Sequence, residues 1–366
     1  YCSNLVKDEK FNSTIFAARS DNIIGKDEPE VHRCWDQGSS NLRELNNALS
    51  FQRLDAVIIQ FNYGFFDFYK LSSVIEEQKR LGRLVLMILH STTDPPKQIL
   101  DRRLVDLVPA MQQCDSVLVH SVNDIENLRA LGVERNVEFL PQGARISKNS
   151  IDGKKKRVTC SFKVATYGFF LPHKGLEEII FAISQLRKCG EDITLLMLNA
   201  AYSEAASAHV IEKCRSRIQE LNLESVVKVV TEYLPEEECL DRLSSVDLIV
   251  YPYQRTSESS SAAVRVGLAS GAPVAVTPLK IFDDVKQFTM MLPGITPDEI
   301  AAGIKSVKTH ILKDSPRLKC FQTARLAWLQ ANRVEEVERY LMLILLRLKV
   351  KRSALLVNSH LLRKAP

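Results

Sequence analysis

Residues 256–277 read TSESSSAAVRVGLASGAPVAVT; they follow the apolar run SVDLIVYPY at 245–253 and end in a second one, PVAVT at 273–277. Ser259 to Ser261 are good helix N-caps and Gly271 is a good helix stop, so the spacing predicts a short helix between two strands. Glu258 puts a carboxylate at its start. The free N–H groups of such a helix point into the crevice at the strands' carboxyl edge, which makes an anion site. A Ser-rich turn before a helix is also an ordinary surface loop, and the rest of the chain has to decide between the two readings.

The surrounding pattern favours an α/β fold. Apolar runs of strand length alternate with amphipathic stretches throughout, the mark of βαβ units and parallel sheets. In the first half the strands read NSTIFAA, VHRCW, DAVIIQFNY, RLVLMILHS, SVLVHS and VEFLPQG, with helical stretches such as FYKLSSVIEEQKRLG and ILDRRLVDLVPAMQQC. The second half restarts with SFKVATYGFF, DITLLMLNA, SVVKVVTEY, DLIVYPY and APVAVT, separated by GLEEIIFAISQLRKCG, VIEKCRSRIQELN and EEECLDRLSSV. The polar stretch ISKNSIDGKKKRVTC at 146–160 reads as a connection. The expected organisation is therefore two doubly wound domains, 1–150 and 151–330, facing each other across a cleft, with a C-terminal helix and basic tail at 331–366. Within that tail VEEVERYLMLILLRLKVKR has apolar residues on more than one face, which fits a helix packed across the domains or a basic amphipathic membrane contact.

Bulk composition agrees with two globular domains. The chain has 366 residues, against roughly 150 per domain. Hydrophobic content is 45% with 25% charged residues, and no apolar run reaches the length of about 18 residues that spans a membrane. The opening YCSNLVKDEK has neither a methionine nor the charged and apolar regions of a signal peptide, and reads as starting inside an element. A net charge of +5 with interspersed signs argues against nucleic acid and for phosphate-bearing small substrates or an anionic surface. The 8 cysteines show no CxxC or Cys/His ligand spacing, so reduced thiols in a cytoplasmic protein without structural zinc are expected.

Candidate site residues stand at strand ends. Lys174 and Gly175 occupy a strand-to-helix turn, where the lysine can neutralise a diphosphate and the glycine permits close backbone approach. His90 and His120 end neighbouring strands, and Gln60, Asn62 and Gly64 cap a third, placing an acceptor pocket there. No GxSxG, Walker or HExxH motif occurs, and the first half shows no GxGxxG after a strand. A serine hydrolase, a P-loop NTPase, a zincin and a dehydrogenase thus lack support.

Together these motifs resemble retaining glycosyltransferases of family 4, with the GT-B architecture, over nearly the whole chain. The parts that carry the likeness are GFFLPHKGLEEII, LLMLNA, LSSVDLIVYPY, ESSSAAVRVGLASGAPVAVT, LHSTTD, VLVHSVND and VEFLPQG, with Trp328 in ARLAWLQAN. The resemblance implies that Lys174 holds the donor diphosphate, that Glu258 contacts the donor sugar's hydroxyls, and that Ser259 and Ser260 offer backbone amides to the phosphates. His90 would sit beside the reacting centre, with Gly168, Gly175, Ser261 and Arg265 also on the donor side and no metal or cofactor. It further implies a UDP- or GDP-sugar donor, a glycan or lipid-linked acceptor, polysaccharide biosynthesis, and a cytoplasmic location with peripheral membrane contact as an option.

The chain departs from the family at three places. Val266 stands where a second carboxylate normally binds the ribose. Gly168 and Phe169 stand where a basic residue usually precedes the lysine, leaving Arg265 or Arg255 to supply that charge. YCSNLV resembles the middle of the family's first helix, so the first strand is expected to precede Tyr1. An inactive GT-B module binding a glycan or a partner, and another GT-B enzyme such as a phosphorylase or epimerase, are the alternatives.

Overall fold

The structure, a computed structural model, describes residues 12–19, 27–39, 41–98, 100–146, 161–202, 204–256, 258–313 and 315–362. The opening segment read as part of a helix, nearly all of the expected connection at 146–160, and the end of the basic tail lie outside the described residues. The chain folds as two compact units. Among the described residues the first takes those up to Gly143, Glu258, Ser259 and those from Val334 onward, and the second takes the rest. The C-terminal helix, expected as an extension of its own, thus belongs to the first unit.

In the first unit β3 (Ala56–Phe61), β4 (Leu84–Leu89), β5 (Ser116–Val119) and β6 (Val137–Phe139) form a parallel sheet in sequence order. β1 (Ile15–Arg19) and β2 (Val31–Asp36), expected in the same sheet, pair in parallel with each other as a separate two-stranded sheet. The helices are α1 (Arg43–Phe51), α2 (Phe68–Arg80), α3 (Val108–Gln113) and α4 (Val122–Ala130). The helix expected at 99–114 is shorter. Arg103 is extended, Leu104 donates its N–H to Asp94 Oδ1 at 2.7 Å, and a 3₁₀ turn at Leu104–Leu107 leads into α3, with Pro109 in its first turn. Proline fits there because the first N–H groups of a helix have no helical partner.

All six residues of β4 are buried, so the strand needs cover on both faces. Val85, Met87 and Leu89 pack with Leu71, Val74, Ile75 and Met111. Leu84, Leu86 and Ile88 pack with Val337, Leu341, Ile344 and Leu348 of α11 (Val334–Leu362). The period of 2 along the strand meets the 3–4 spacing along the helix. A side chain at Gly143 would stand 3.0 Å from Val334 Cα, so a glycine lets the helix start this close. Arg347 to Glu138 at 2.6 Å and Lys349 to Asp55 at 3.1 Å tie its flank to the sheet rim.

The second unit is one six-stranded parallel sheet of β7 (Phe162–Phe169), β8 (Ile193–Ala200), β9 (Val227–Val230), β10 (Leu248–Tyr251), β11 (Val274–Val276) and β12 (Met290–Met291). Its order, β12-β11-β10-β7-β8-β9, reverses between β7 and β10. Loops at such a reversal diverge and leave a crevice outside the carboxyl ends of the two strands. α5 (Leu176–Lys188), α6 (Glu204–Glu220), α7 (Glu236–Ser244), α8 (Ala262–Ala269), α9 (Pro297–Leu312) and α10 (Pro316–Ala331) flank the sheet. Its two faces bury separate clusters, Val164, Ile180, Leu195 and Ile304 in one and Ala165, Leu243, Ile249 and Leu268 in the other. Buried Arg325 donates to Leu268 O at 2.7 Å, satisfying a carbonyl in the last turn of α8.

Truncating the α11 cover should open a cavity against β4. Leu341→Ala, at a position 1% exposed, is expected to cost about 2–5 kcal/mol in urea unfolding, and a loss well below that range would mean the helix is not part of this core.

Candidate functional site

At the reversal in the second unit, Gly168, the last residue but one of β7, has φ +135°, and an added Cβ there would lie 3.5 Å from the Cβ of Ala263 in the first turn of α8. The chain then makes a 3₁₀ turn, Pro172–Lys174, and enters α5 through Gly175 at φ +68°. A Cβ on Gly175 would fall 1.7 Å from the Pro252 carbonyl oxygen, so no other residue fits. Gln254 donates its N–H to His173 O at 2.9 Å and its side-chain amide to Ile295 O at 2.9 Å, fixing the two strand-end turns to each other.

The same packing positions Lys174. Its side chain is 8% exposed, and its ammonium lies 3.9 Å from the centre of the Tyr253 ring. The Tyr253 hydroxyl lies 3.2 Å from Ser261 Oγ, and Ser261 caps α8 by accepting from Val264 N at 3.3 Å. Thr277 donates to Tyr253 O at 2.8 Å. A cation on an aromatic face and the N-terminus of an eight-residue helix are thus linked through one tyrosine. Both favour negative charge. Gly168, Lys174, Gly175, Ser260 and Ser261 therefore belong to one strand-end region.

Arg265 does not open onto it. The guanidinium is 3% exposed, pairs with Asp284, donates to Ser261 O at 2.9 Å and lies 5.9 Å from the Trp328 ring. The reason is periodicity: Arg265 falls on the inward face of α8 between Val264 and Leu268. Val266 is half-buried against the same core. Where the family carries a basic residue, Phe169 contacts Tyr202 and Tyr233 with ring centroids 5.3 and 6.4 Å away.

In the first unit, His90 follows β4 and His120 follows β5. His90 Nε2 lies 2.9 Å from Gln60 Oε1, His90 Nδ1 lies 3.2 Å from His120 Nε2, and His120 Nδ1 lies 2.9 Å from Leu140 O. A carbonyl only accepts, so His120 carries its proton on Nδ1 and His90 carries its own on Nδ1. A neutral His90 then needs the Gln60 amide turned to present its NH2 group. Burial first, and the neighbouring His120 second, lower the His90 pKa to about 4. Both ring nitrogens are thus occupied within the protein.

Asp124 gathers the remaining polar groups. It is 2% exposed and accepts from the hydroxyls of Thr92, Ser121 and Ser259, each at 2.6 Å. Ser259 N–H is directed at His90 O at 3.4 Å, so this amide, expected to face a phosphate, is held by protein here. Glu258, one residue earlier, is exposed. Asn62 is spent on its own turn, accepting from Gly64 N at 3.1 Å, and Arg102 braces that turn by donating to Tyr63 O at 2.6 Å. Asp124 and Tyr253 were not among the expected residues. Asp124 had a signal, since Ser121 and Asp124 form an S-x-x-D helix start. Tyr253 reads from sequence only as an apolar strand residue.

No protein-family model matches the sequence, and no curated protein matches it. Solved structures do match by shape. A sucrose-phosphate synthase from Thermosynechococcus elongatus aligns with TM-score 0.70 at 15% identity, covering 92% of this chain and 88% of that one. A glycosyltransferase from Rickettsia africae gives 0.69 at 12%, covering 87% and 84%. A UDP-forming alpha,alpha-trehalose-phosphate synthase from Burkholderia xenovorans, in complex with glucose-6-phosphate, gives 0.66 at 11%, covering 82% and 76%. The two Rossmann-like units and these likenesses establish the fold as GT-B.

The histidine chain makes stability depend on pH. The folded pKa of His90 lies below its ordinary value of 6.5, so the unfolded chain binds the extra proton between about 6.5 and 4. Stability contributed by a neutral His90 is complete above that window and is lost as pH falls through it, by no more than about 3 kcal/mol. Urea midpoints between pH 7 and 4.5 should fall less steeply in His90→Gln than in the unaltered protein, and parallel curves would refute this.

Proposed function

We propose that this chain is a glycosyltransferase that moves a sugar from a nucleotide-sugar donor to an acceptor. The observation that carries this reading is the seating of the Lys174 ammonium on Tyr253, whose hydroxyl reaches the N-cap of α8 at the strand reversal. A nucleoside diphosphate leaves with growing negative charge, and a fixed cation beside a helix N-terminus stabilises charge that develops there. The shape likeness to synthases and a glycosyltransferase supports the reaction class.

The finer assignment follows the family 4 pattern. The transfer retains configuration, the donor carries UDP or GDP, and the acceptor is a glycan or lipid-linked glycan of polysaccharide synthesis. Lys174 holds the diphosphate, with Gly168, Gly175, Ser260 and Ser261 shaping its seat, and Glu258 accepts from the donor sugar's hydroxyls. His90 acts as a positioning residue, because its carbonyl accepts from Ser259 N–H and its ring is neutral and engaged at both nitrogens. Gln60 and His120 hold it in place. Arg265 is left out of the donor set, its charge being met by Asp284.

A second reading, a GT-B module that binds without turnover, has one observation in its favour: half-buried Val266 offers nothing to a ribose. A panel of UDP-, GDP- and ADP-sugars, assayed for transfer and hydrolysis, separates the two. Turnover with at least one donor is expected, and Lys174→Ala and Glu258→Ala should each lower kcat by about 10²–10³-fold, the scale for removing a charge-stabilising group. Absence of turnover across the panel favours the binding module.

A further inference from the structure

Asp124 accepts more hydrogen bonds than the start of a helix asks of it. It is the third residue of α4, and Ser121 at the N-cap accepts from Asp124 N at 3.1 Å while donating its hydroxyl to Oδ2 at 2.6 Å. One carboxylate oxygen is enough for that arrangement. The other, Oδ1, accepts at 2.6 Å from both Thr92, which follows β4, and Ser259, 135 positions away in sequence. Asn127, on the next turn of α4, donates to Thr92 Oγ1 at 2.9 Å, which leaves the Thr92 proton for Asp124. At 2% exposure the carboxylate sits out of water, where hydroxyls donating to it make short, strong bonds.

Ser259 is fixed twice. Its hydroxyl goes to Asp124, and its N–H is directed at His90 O, just past the end of β4, at 3.4 Å. That N–H lies in the plane of the peptide joining Glu258 to Ser259. A peptide unit is rigid and planar, so the same plane contains the Glu258 Cα. Anchoring Ser259 by amide and side chain therefore sets the point from which the exposed Glu258 side chain projects. The whole network, with Glu258 and Ser259, belongs to the first unit.

We propose that Asp124 is a positioning residue for sugar transfer, acting through Ser259 to hold the Glu258 carboxylate where it accepts from the donor sugar's hydroxyls. The proposal rests on the sugar-transfer reading and adds to it a residue that touches no substrate. A hydroxyl that only capped a loop would be indifferent to Asp124. Here the second oxygen of a buried carboxylate is committed to it, and a reacting group displaced by about 1 Å loses up to about 10²-fold in rate.

Steady-state transfer by the full chain, with the donor that turns over, tests this in three variants. Ser259→Ala leaves Asp124 its other two hydroxyls, so it should stay folded by its urea transition while kcat falls about tenfold. Asp124→Asn should lower kcat at least as far. Because Asp124 acts through Ser259, the double variant should show a kcat within about twofold of Asp124→Asn alone, the mark of residues that act as a unit. Titration with the nucleoside diphosphate should give a Kd within about twofold of the unaltered chain in Ser259→Ala, since the seat at Lys174 is untouched. Full kcat in Ser259→Ala, losses that multiply in the double variant, or a nucleotide affinity that falls with kcat would overturn the proposal and leave the sugar-transfer reading standing. An unaltered chain that turns over no donor would remove both.

Discussion

Gly175 has no room for a side chain, because the Pro252 carbonyl oxygen occupies the place 1.7 Å from where its Cβ would be. That contact joins the ends of β7 and β10 where the strand order reverses, and the left-handed turn it forces sets Lys174 down on Tyr253. Burying a lysine is costly unless its ammonium finds favourable electrostatics, and an aromatic face supplies part of that. The helix N-terminus capped by Ser261 then places oriented N–H dipoles in the same region. A fixed cation and a set of oriented N–H dipoles, both of which favour negative charge, follow from one steric constraint and its consequences.

The first unit answers a different requirement. Its central strand is buried on both faces, so α11 must return from the far end of the chain to cover the second face. At the carboxyl ends of the strands the polar side chains hold one another: Gln60, His90 and His120 in a line ending on Leu140 O, and three hydroxyls on Asp124. Nearly every donor there has a fixed acceptor inside the protein. Such a network positions backbone and side chains more than it offers them to solvent.

Much of the fold was legible because buried parallel strands are short apolar runs, and the runs at 84–89, 116–119, 162–169 and 193–200 have no other reading. Pairing was less legible, since β1 and β2 look like any other strands while their partnership depends on contacts remote in sequence. β12 and α9 were not anticipated at all. A two-residue strand such as β12 leaves little periodic signal. Lys174 and Gly175 could be placed at a turn from sequence, but the carbonyl beneath the glycine and the ring beneath the lysine could not. Arg265 illustrates the limit: one position along a helix separates an inward from an outward side chain, and a cation next to the expected site turned out to serve Asp284 and Ser261 O.

The central claim is that the strand reversal in the second unit receives the diphosphate of a nucleotide. Isothermal titration of the intact chain with UDP, GDP and ADP reads this directly, without requiring the right sugar or acceptor. Saturable binding of at least one nucleotide is predicted, falling steeply in Lys174→Met while the urea midpoint of that variant shows it still folded. Binding of none of the three to the folded chain, or binding unchanged in Lys174→Met, would contradict the account.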